Sequence, residues 1–207
     1  MNLVVRDLGN TQYEAVFDEM RAFTDARHRD TLDELWVTEH APVFTQGQHG
    51  KMEHLLAPGD IPVVHSDRGG QVTYHAPGQL VGYLMFDIRR MEISPRELVT
   101  GIERALIALL ARYSILAKLR RDAPGVYVDG AKIGSLGLRI RRGRSYHGLA
   151  LNVAMDLAPF SLINPCGLEG IEVTQLSDLG GPSDLEEVKM ILVDELLTSY
   201  GFENGIA

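Results

Sequence analysis

Residues 126 to 153 read VYVDGAKIGSLGLRIRRGRSYHGLALNV, and this stretch decides the expected fold. Its short apolar runs are interrupted by Asp129-Gly130 and by Arg142-Gly143. Pairs that end in glycine suit the positive backbone angles of tight hairpin turns. The pattern therefore predicts successive antiparallel hairpins, with β-sheet dominating the middle of the chain.

Further strands and three amphipathic helices are expected around these hairpins. The strands are predicted at Leu35–Thr38, Val43–Thr45, Ile61–His65 and Leu80–Ile88. Each helix is predicted to begin at a capping box, in which Ser or Thr and a Glu three residues later bond each other's backbone N–H groups. The pairs are Thr11 with Glu14, Ser94 with Glu97 and Ser183 with Glu186, and the helices extend to about Ala26, Tyr113 and Gly201. Strands in the middle and helices around them predict an α+β fold.

Length and composition favour one globular domain over residues 1–207. The chain is 45% hydrophobic and 23% charged, and no linker divides it. A net charge of -8 argues against general nucleic-acid binding, which needs a surplus of Lys and Arg. The apolar runs are shorter than the ~20 residues of a membrane helix, and the first residues lack the apolar run of a signal peptide. We therefore expect a cytoplasmic protein that binds neither nucleic acid nor membrane.

Metal and nucleotide motifs are absent from the sequence. A single cysteine excludes an intramolecular disulfide and a cysteine-rich zinc site. The seven histidines show no HExxH or related ligand spacing, and neither the Walker loop nor the dinucleotide fingerprint occurs. We expect no metal and no cofactor.

The one cysteine, Cys166, lies between Pro165 and Gly167, where neither a helix nor a central strand is favoured. Lys132 lies in GAKIGSLG, residues 130 to 137, among small and apolar residues. Its ammonium therefore either extends to water or serves a site. An ammonium beside a thiol favours the thiolate, which is the nucleophilic form. Spacing alone cannot show that the two residues meet.

Two glycine-containing stretches are further candidates. RGGQVTYH at 68–75 either offers backbone N–H groups to an oxyanion or forms a loop between strands. In SYHGLALN at 145–152, Gly148 leaves room for a methylene chain beside apolar Leu149 and Ala150, and His147 is either structural or a catalytic base. On the residues alone, cysteine-dependent acyl chemistry is a hypothesis.

Several longer motifs together resemble the lipoyl(octanoyl) transferases, which move octanoyl groups from acyl carrier protein to lipoyl domains. In chain order they are LW at 35–36 with EHAPVFT at 39–45, RGGQVTYH at 68–75, GAKIGSLGLRIRRG at 130–143, YHGLALNV at 146–153 and INPCG at 163–167. They extend along nearly the whole chain. The family's fold is similar to that of the biotin and lipoate protein ligases, so the resemblance implies a mixed, largely antiparallel sheet flanked by helices.

The resemblance also implies roles for individual residues. Cys166 would be the nucleophile that becomes acylated, and Lys132 the ammonium that favours its thiolate. The N–H groups near Gly70 and Leu149 would donate to the oxyanion. The implied acyl-binding surface consists of Arg68, Gly69, Gly70, Gln71, Val72, Thr73, Tyr74, His75, Ser135, Leu136, Gly137, Gly148, Leu149 and Ala150. Two positions depart from the family pattern, Ala76 where glycine is usual and Arg144 where a small residue or cysteine is common.

The implied partners are a protein donor and protein acceptors. Octanoyl-acyl carrier protein would be the donor, and lipoyl domains of 2-oxoacid dehydrogenase complexes and the glycine cleavage H protein would be the acceptors of a monomeric enzyme. Acyl carrier proteins are acidic, so a basic run either receives the carrier or is a solvated hairpin. This run comprises Arg139, Arg141, Arg142 and Arg144, with Lys118, Arg120 and Arg121 upstream.

Three other functions stay open. An ATP-dependent lipoate ligase of the same fold would need ATP and magnesium but no cysteine. A cysteine thioesterase would use Cys166 with His75 or His147 and release free octanoate. A binding module that only sequesters lipoylated or biotinylated domains would leave Cys166 and Lys132 without roles.

Overall fold

The structure, a computed structural model, describes residues 2–120 and 123–206, and only the backbone of residues 204–206. Arg121 of the predicted basic run lies outside the described residues. The strands are β1 (Asn2–Thr11), β2 (Asp33–His40), β3 (Val43–Gln46), β4 (Val63–His65), β5 (Val72–His75), β6 (Gln79–Met85), β7 (Lys118–Leu119), β8 (Val126–Val128), β9 (Ala131–Arg141), β10 (Arg144–Asn152) and β11 (Asn204–Ile206). The α-helices are α1 (Tyr13–Ala26), α2 (Pro95–Arg112) and α3 (Leu185–Tyr200).

Two sheets organise these elements. The larger has eight strands in the order β11-β1-β2-β6-β10-β9-β8-β7, in which β1 is parallel to both neighbours and the other pairs are antiparallel. The smaller has the order β4-β3-β5, with one parallel and one antiparallel pair. The predicted α+β fold, with a mixed, largely antiparallel sheet flanked by helices, is confirmed.

The stretch at 126–153 forms β8, β9 and β10 in the hairpin arrangement predicted for it. Both turns have positive φ at each central residue: +49° and +91° at Asp129 and Gly130, +54° and +80° at Arg142 and Gly143. These angles match the turns whose twist suits a two-residue hairpin. The two hairpins place β9 between β8 and β10.

Opposite faces of the large sheet are covered by different helices. Alternate residues of a strand point to opposite faces. Leu80 and Leu84 of β6 therefore belong to the core under α2 and α3, whereas Val81 and Tyr83 belong to a second cluster with Val16 of α1. A third cluster, which includes Phe44, Val72, Tyr74, Phe160 and Ile163, fills the space beside the small sheet.

One of the three predicted capping boxes is correct. Ser94 Oγ accepts from the Glu97 N–H at 3.2 Å, and the Glu97 carboxylate accepts from the Ser94 N–H at 2.7 Å. The Thr11 prediction is wrong, because Thr11 ends β1 and its hydroxyl hydrogen-bonds to Thr38. The Ser183 prediction is also wrong by one residue, because Asp184 immediately precedes α3 and its carboxylate caps the helix.

Candidate active site

Lys132 and Cys166 meet in the folded chain. The Lys132 Nζ lies 2.8 Å from the Cys166 Sγ and also donates to the Pro124 carbonyl oxygen at 2.9 Å. The backbone of Lys132 is held by two hydrogen bonds, one to Glu172 at 2.8 Å and one from Thr174 at 2.9 Å. The chain that leaves the cysteine turn therefore pairs with β9 at the lysine itself. This pairing fixes the distance between the two side chains.

The Lys132 ammonium contacts a carbonyl oxygen, a sulfur atom and an aromatic ring. The residue is 3% exposed, its Nζ lies 5.5 Å from the centroid of the Tyr127 ring, and no carboxylate pairs with it among residues 2–120 and 123–206. A buried ammonium without an anion is costly. A thiolate at Cys166 would supply that anion at hydrogen-bond distance, and thiolate is the form that attacks a carbonyl.

The turn that carries Cys166 has a left-handed backbone. Cys166 has φ +58° and Gly167 φ +74° within a short 3-10 turn, Pro165–Gly167. This conformation costs a residue other than glycine about 1–3 kcal/mol and persists only where the surroundings enforce it. The Gly167 N–H donates to the Asn164 carbonyl at 2.9 Å, which closes the turn. Pro165 and Gly167 thus set a turn that leaves the thiol half-exposed.

Residues from two other segments contact this turn. A Cβ on Gly167 would lie 3.0 Å from Gln71 Cγ and 3.1 Å from His54 Nε2. The His54 carbonyl also accepts from the Asn164 N–H at 2.9 Å. The sequence analysis missed His54, because an isolated histidine in a polar loop carries no signal of such a contact.

A cavity opens beside Cys166, with about 480 Å³ of space that is partly open to solvent. Most of the predicted acyl-binding residues line it: Arg68, Gly70, Gln71, Val72, Thr73, His75, Ser135, Leu136, Gly137, Gly148, Leu149 and Ala150. Four further lining residues are Tyr13, Val81, Tyr83 and His147. Of these only His147 was considered from the sequence, because the others become neighbours through strand register and the docking of α1.

Gly69 and Tyr74 are the predicted binding residues that do not line this cavity. Tyr74 packs instead against Phe44 and Phe160, with ring centroids 5.2 and 5.5 Å away. It points away because alternate residues of β5 face opposite sides. Gly69 donates its N–H to the Leu138 carbonyl at 2.9 Å, so it links the RGG loop to β9.

Gly148 allows the backbones of β10 and β6 to pack closely. A Cβ at this position would collide with the carbonyl oxygen of Gly82, so the missing side chain admits the neighbouring backbone of β6 and leaves no room for methylenes. At Gly137 a Cβ would lie 3.2 Å from Arg68 Cδ and 3.1 Å from the Gly69 oxygen. Both glycines thus permit close approach of protein groups.

Arg68 organises the RGG loop from inside. Its guanidinium donates to Thr45 O at 2.6 Å, Gln71 O at 2.8 Å and Gly69 O at 2.9 Å. Burial lowers its pKa. Within the described part of the chain its acceptors are all neutral, so Arg68 contributes a positive charge to the wall of the cavity.

The cavity histidines are held by neighbours other than the thiol. His75 Nδ1 lies 2.7 Å from Gln79 Oε1, and burial, aided by the charge of His40, lowers the pKa of His75 to about 3. His147 Nε2 lies 2.9 Å from Asp67 Oδ1, and burial lowers the pKa of His147 although Asp67 opposes the shift. His75 is therefore neutral at physiological pH and acts as a fixed hydrogen-bonding group.

Comparisons with known proteins show the family of this chain. Residues 4–197 match the sequence model of the lipoyl protein ligase A/B catalytic domain. The chain belongs to this family. An octanoyltransferase of Pseudomonas entomophila is 63% identical over 195 residues, covering 94% of this chain and 91% of that protein.

Solved structures of ligases share the family fold. Lipoate-protein ligase A bound with ATP has a TM-score of 0.81 at 16% identity, covering 100% of this chain and 90% of that one. Biotin protein ligase from Aquifex aeolicus has a TM-score of 0.57 at 12% identity, covering 97% and 69%. The predicted likeness to biotin and lipoate protein ligases is therefore confirmed at the level of fold.

The hairpin that carries the basic run, with Arg139, Arg141, Arg142 and Arg144, lies far from the Cys166 thiol. Arg141 follows Lys132 by nine residues of β9, or about 30 Å at ~3.3 Å per residue. Arg141 also pairs with Asp25 at 3.1 Å, and Arg144, one of the departures from the family pattern, pairs with Asp87 at 3.6 Å. The other departure, Ala76, is buried in the third cluster.

No group of three or more His, Cys, Asp and Glu within residues 2–120 and 123–206 is arranged to hold a metal ion. Over the same residues no helix has the length and apolarity needed to cross a membrane.

Proposed function

We propose that this protein is an octanoyltransferase that works through an acyl-cysteine. It takes the octanoyl group of octanoyl-acyl carrier protein and transfers it to a lysine of a lipoyl domain. The observation that carries the proposal is the 2.8 Å contact between Lys132 Nζ and Cys166 Sγ beside a cavity of about 480 Å³. A relative at 63% identity is named an octanoyltransferase, which supports octanoyl as the transferred group.

In the first half-reaction the Cys166 thiolate attacks the thioester carbonyl carbon of the donor. A new S–C bond forms, and negative charge develops on the carbonyl oxygen, where backbone N–H groups can stabilise it. Gly70, with φ +87°, lies on the cavity wall and stays a predicted donor, as does Leu149. Collapse of the intermediate breaks the donor's C–S bond, and the carrier thiolate leaves and takes up a proton from solvent.

In the second half-reaction the neutral amine of the acceptor lysine attacks the acyl-enzyme. A C–N bond forms, the C–S bond to Cys166 breaks, and the amine proton passes to solvent. The sulfur returns to thiolate beside the Lys132 ammonium. The bond energy of the donor thioester drives amide formation, so no nucleotide is consumed.

The cysteine–lysine pair also separates this function from the alternatives. A ligase that activates the acyl group with ATP has no use for an ammonium at the sulfur, and neither has a binding module. A thioesterase would need a base on the sulfur or on water. The hydrogen-bond partner of the thiol among the described residues is Lys132, whereas His75 and His147 bond to Gln79 and Asp67.

The finer assignments of partners and context are also part of the proposal. The family relation supports an acyl donor and lipoyl-domain acceptors. Acyl carrier protein as donor, the H protein among the acceptors, a monomeric state, one domain over residues 1–207 and a cytoplasmic location are predictions.

Intact-protein mass spectrometry tests the first half-reaction. The wild type, mixed with octanoyl-acyl carrier protein and no nucleotide, is expected to gain one octanoyl group that hydroxylamine removes. Because the chain has one cysteine, a thioester adduct can only be on Cys166. Cys166→Ser should lack the adduct. Octanoylation of an acceptor that appears only with ATP and magnesium would contradict the proposal.

A further inference from the structure

The cavity wall consists of two cross-strand rows. Ser135, Ala150 and Val81 lie side by side on β9, β10 and β6, and form the near row. Gly137, Gly148 and Tyr83 lie side by side two residues further along β9, and form the far row. All six residues line the cavity.

The two rows lie at different distances from Lys132 along β9. Lys132, whose Nζ contacts the Cys166 Sγ, is three residues before the near row and five before the far row. At ~3.3 Å per residue these backbone separations are at most about 10 and 17 Å, and the register shift between β8 and β9 near Lys132 shortens them. The far row is therefore the more distant of the two from the residue that contacts the thiol.

The far row is closed by the side chains of Arg68 and Tyr83 and by the Gly82 carbonyl. Its two glycines leave no gap, since Arg68 Cδ covers Gly137 and the Gly82 carbonyl fills the place beside Gly148. Tyr83 is 3% exposed, and its hydroxyl lies 2.6 Å from His40 Nε2.

The Tyr83–His40 pair is neutral and fixed. Burial raises the pKa of Tyr83 well above its usual value and lowers the pKa of His40 to about 4, so neither group is charged at neutral pH. His40 Nδ1 is in turn 3.0 Å from the Thr11 hydroxyl. The tyrosine ring is thus anchored at its far end and cannot swing aside without leaving buried polar groups unpaired.

We propose that Tyr83 is the residue that limits the length of the transferred acyl chain. Carbons added beyond octanoyl reach the far row and collide with the anchored ring, whereas shorter chains leave the space in front of it unfilled. Val81, in the near row, sets the width of the passage that leads there. This inference rests on the proposed function, because it concerns the acyl group that Cys166 receives.

The test is the chain-length profile of acyl-cysteine formation, measured with carrier protein bearing saturated chains of six, eight, ten, twelve and fourteen carbons. Tyr83→Leu should move the maximum to longer chains, with a gain of about fourfold for each additional buried methylene. Tyr83→Phe keeps the ring but removes its bond to His40, so it should move the maximum less than Tyr83→Leu does. Val81→Leu should move the maximum in the opposite direction, toward six carbons.

Each result has a separate meaning. A folded Tyr83→Leu protein with the wild-type profile overturns the inference. If Tyr83→Leu does not fold, Val81→Leu decides, and an unchanged maximum in that variant overturns the inference as well. Failure of the wild type to form an acyl-cysteine with any chain would instead overturn the proposed function.

Discussion

At one end of the cavity lie Cys166 and Lys132, and at the other lie Tyr83 and His40. The thiol end is charged and half-exposed, and its cysteine has a left-handed backbone. The tyrosine end is buried and neutral, and its polar groups bond one another. Acylation requires that the donor reach the Cys166 thiol and that the Lys132 ammonium favour its thiolate. Selection of chain length requires a rigid side chain at the end of the acyl pocket. The contrast predicts that the two ends respond to different perturbations.

A lower pH should destabilise the folded protein through its buried histidines. His75 and His40 have pKa values of about 3 and about 4 in the folded protein against a usual value near 6.5. Well below pH 6.5 the unfolded chain binds a proton at each of these two histidines and the folded chain does not, so the free energy of unfolding falls as the pH falls. For these two groups the slope approaches about 2.7 kcal/mol per pH unit, and the loss from pH 6.5 to 5 is about 3 kcal/mol.

Urea unfolding between about pH 7 and 5 measures this slope. His40→Gln should roughly halve it, with His28→Gln, an exposed residue, as the matched control. A slope no different from zero in the wild type would show that the histidines at the tyrosine end take up protons while folded.

Removal of the Lys132 charge should act at the thiol end. Lys132→Met keeps the length of the side chain but removes the ammonium 2.8 Å from the sulfur. We expect acylation of Cys166 to slow about 10²-fold, because the thiolate loses its stabilising charge. Alkylation by iodoacetamide should slow in parallel. Lys118→Met, an exposed lysine in the same cross-strand row, is the control for the alkylation rate, which does not involve the carrier. An alkylation rate within about twofold of the wild type would remove Lys132 from the mechanism.

A methyl group on Gly167 should disturb the cysteine turn. Gly167 and Gly170 have nearly the same φ, +74° and +69°, but only at Gly167 would a Cβ meet neighbours, Gln71 and His54. Each alanine variant should lose about 1 kcal/mol of stability. Gly167→Ala should in addition acylate about tenfold more slowly, because the turn must shift. Equal acylation rates in the two variants would show that the contacts with Gln71 and His54 do not position the thiol.

Reversal of a positive charge near the Cys166 thiol should change the rate of transfer from the carrier less than the substitutions above change theirs. Lys118 lies two strands from Lys132, about 10 Å away, whereas Arg142 is at the distant hairpin turn. If an acidic carrier docks over the thiol, Lys118→Glu should slow transfer from the carrier a few-fold at low salt, and Arg142→Glu should not. The reverse ranking would favour the hairpin as the docking surface.

The sequence predicted the parts of this molecule that local chemistry determines. Hairpins with glycine turns, the capping box at Ser94 and the motifs around Cys166 and Lys132 are all local patterns. Strand β1 was missed, because Arg6 and Asp7 interrupt its apolar residues and its partner β2 is distant in sequence. Strand β5 was read as part of a glycine-rich loop, although VTYH pairs with β3.

The walls of the cavity depend on register and helix docking, which a single sequence does not reveal. Val81 and Tyr83 reach the cavity because β6 pairs with β10 and its alternate residues face the same side of the sheet. Tyr13 reaches it because α1 packs on that face. His54 touches the cysteine turn through a loop with no regular pattern. Long-range packing of this kind explains why Cys166 and Lys132 could be singled out from the sequence, whereas Val81 and Tyr83 could not.

The most direct test of the account is a single turnover of isolated acyl-enzyme. Protein carrying octanoyl on Cys166, freed of donor and nucleotide, is mixed with a lipoyl domain, and the masses of both proteins are followed in time. Octanoyl is expected to leave Cys166 and to appear as an amide on the acceptor lysine at the same rate. Release of free octanoate without modification of the acceptor, or a stable acyl-enzyme that transfers only after ATP and magnesium are added, would contradict it.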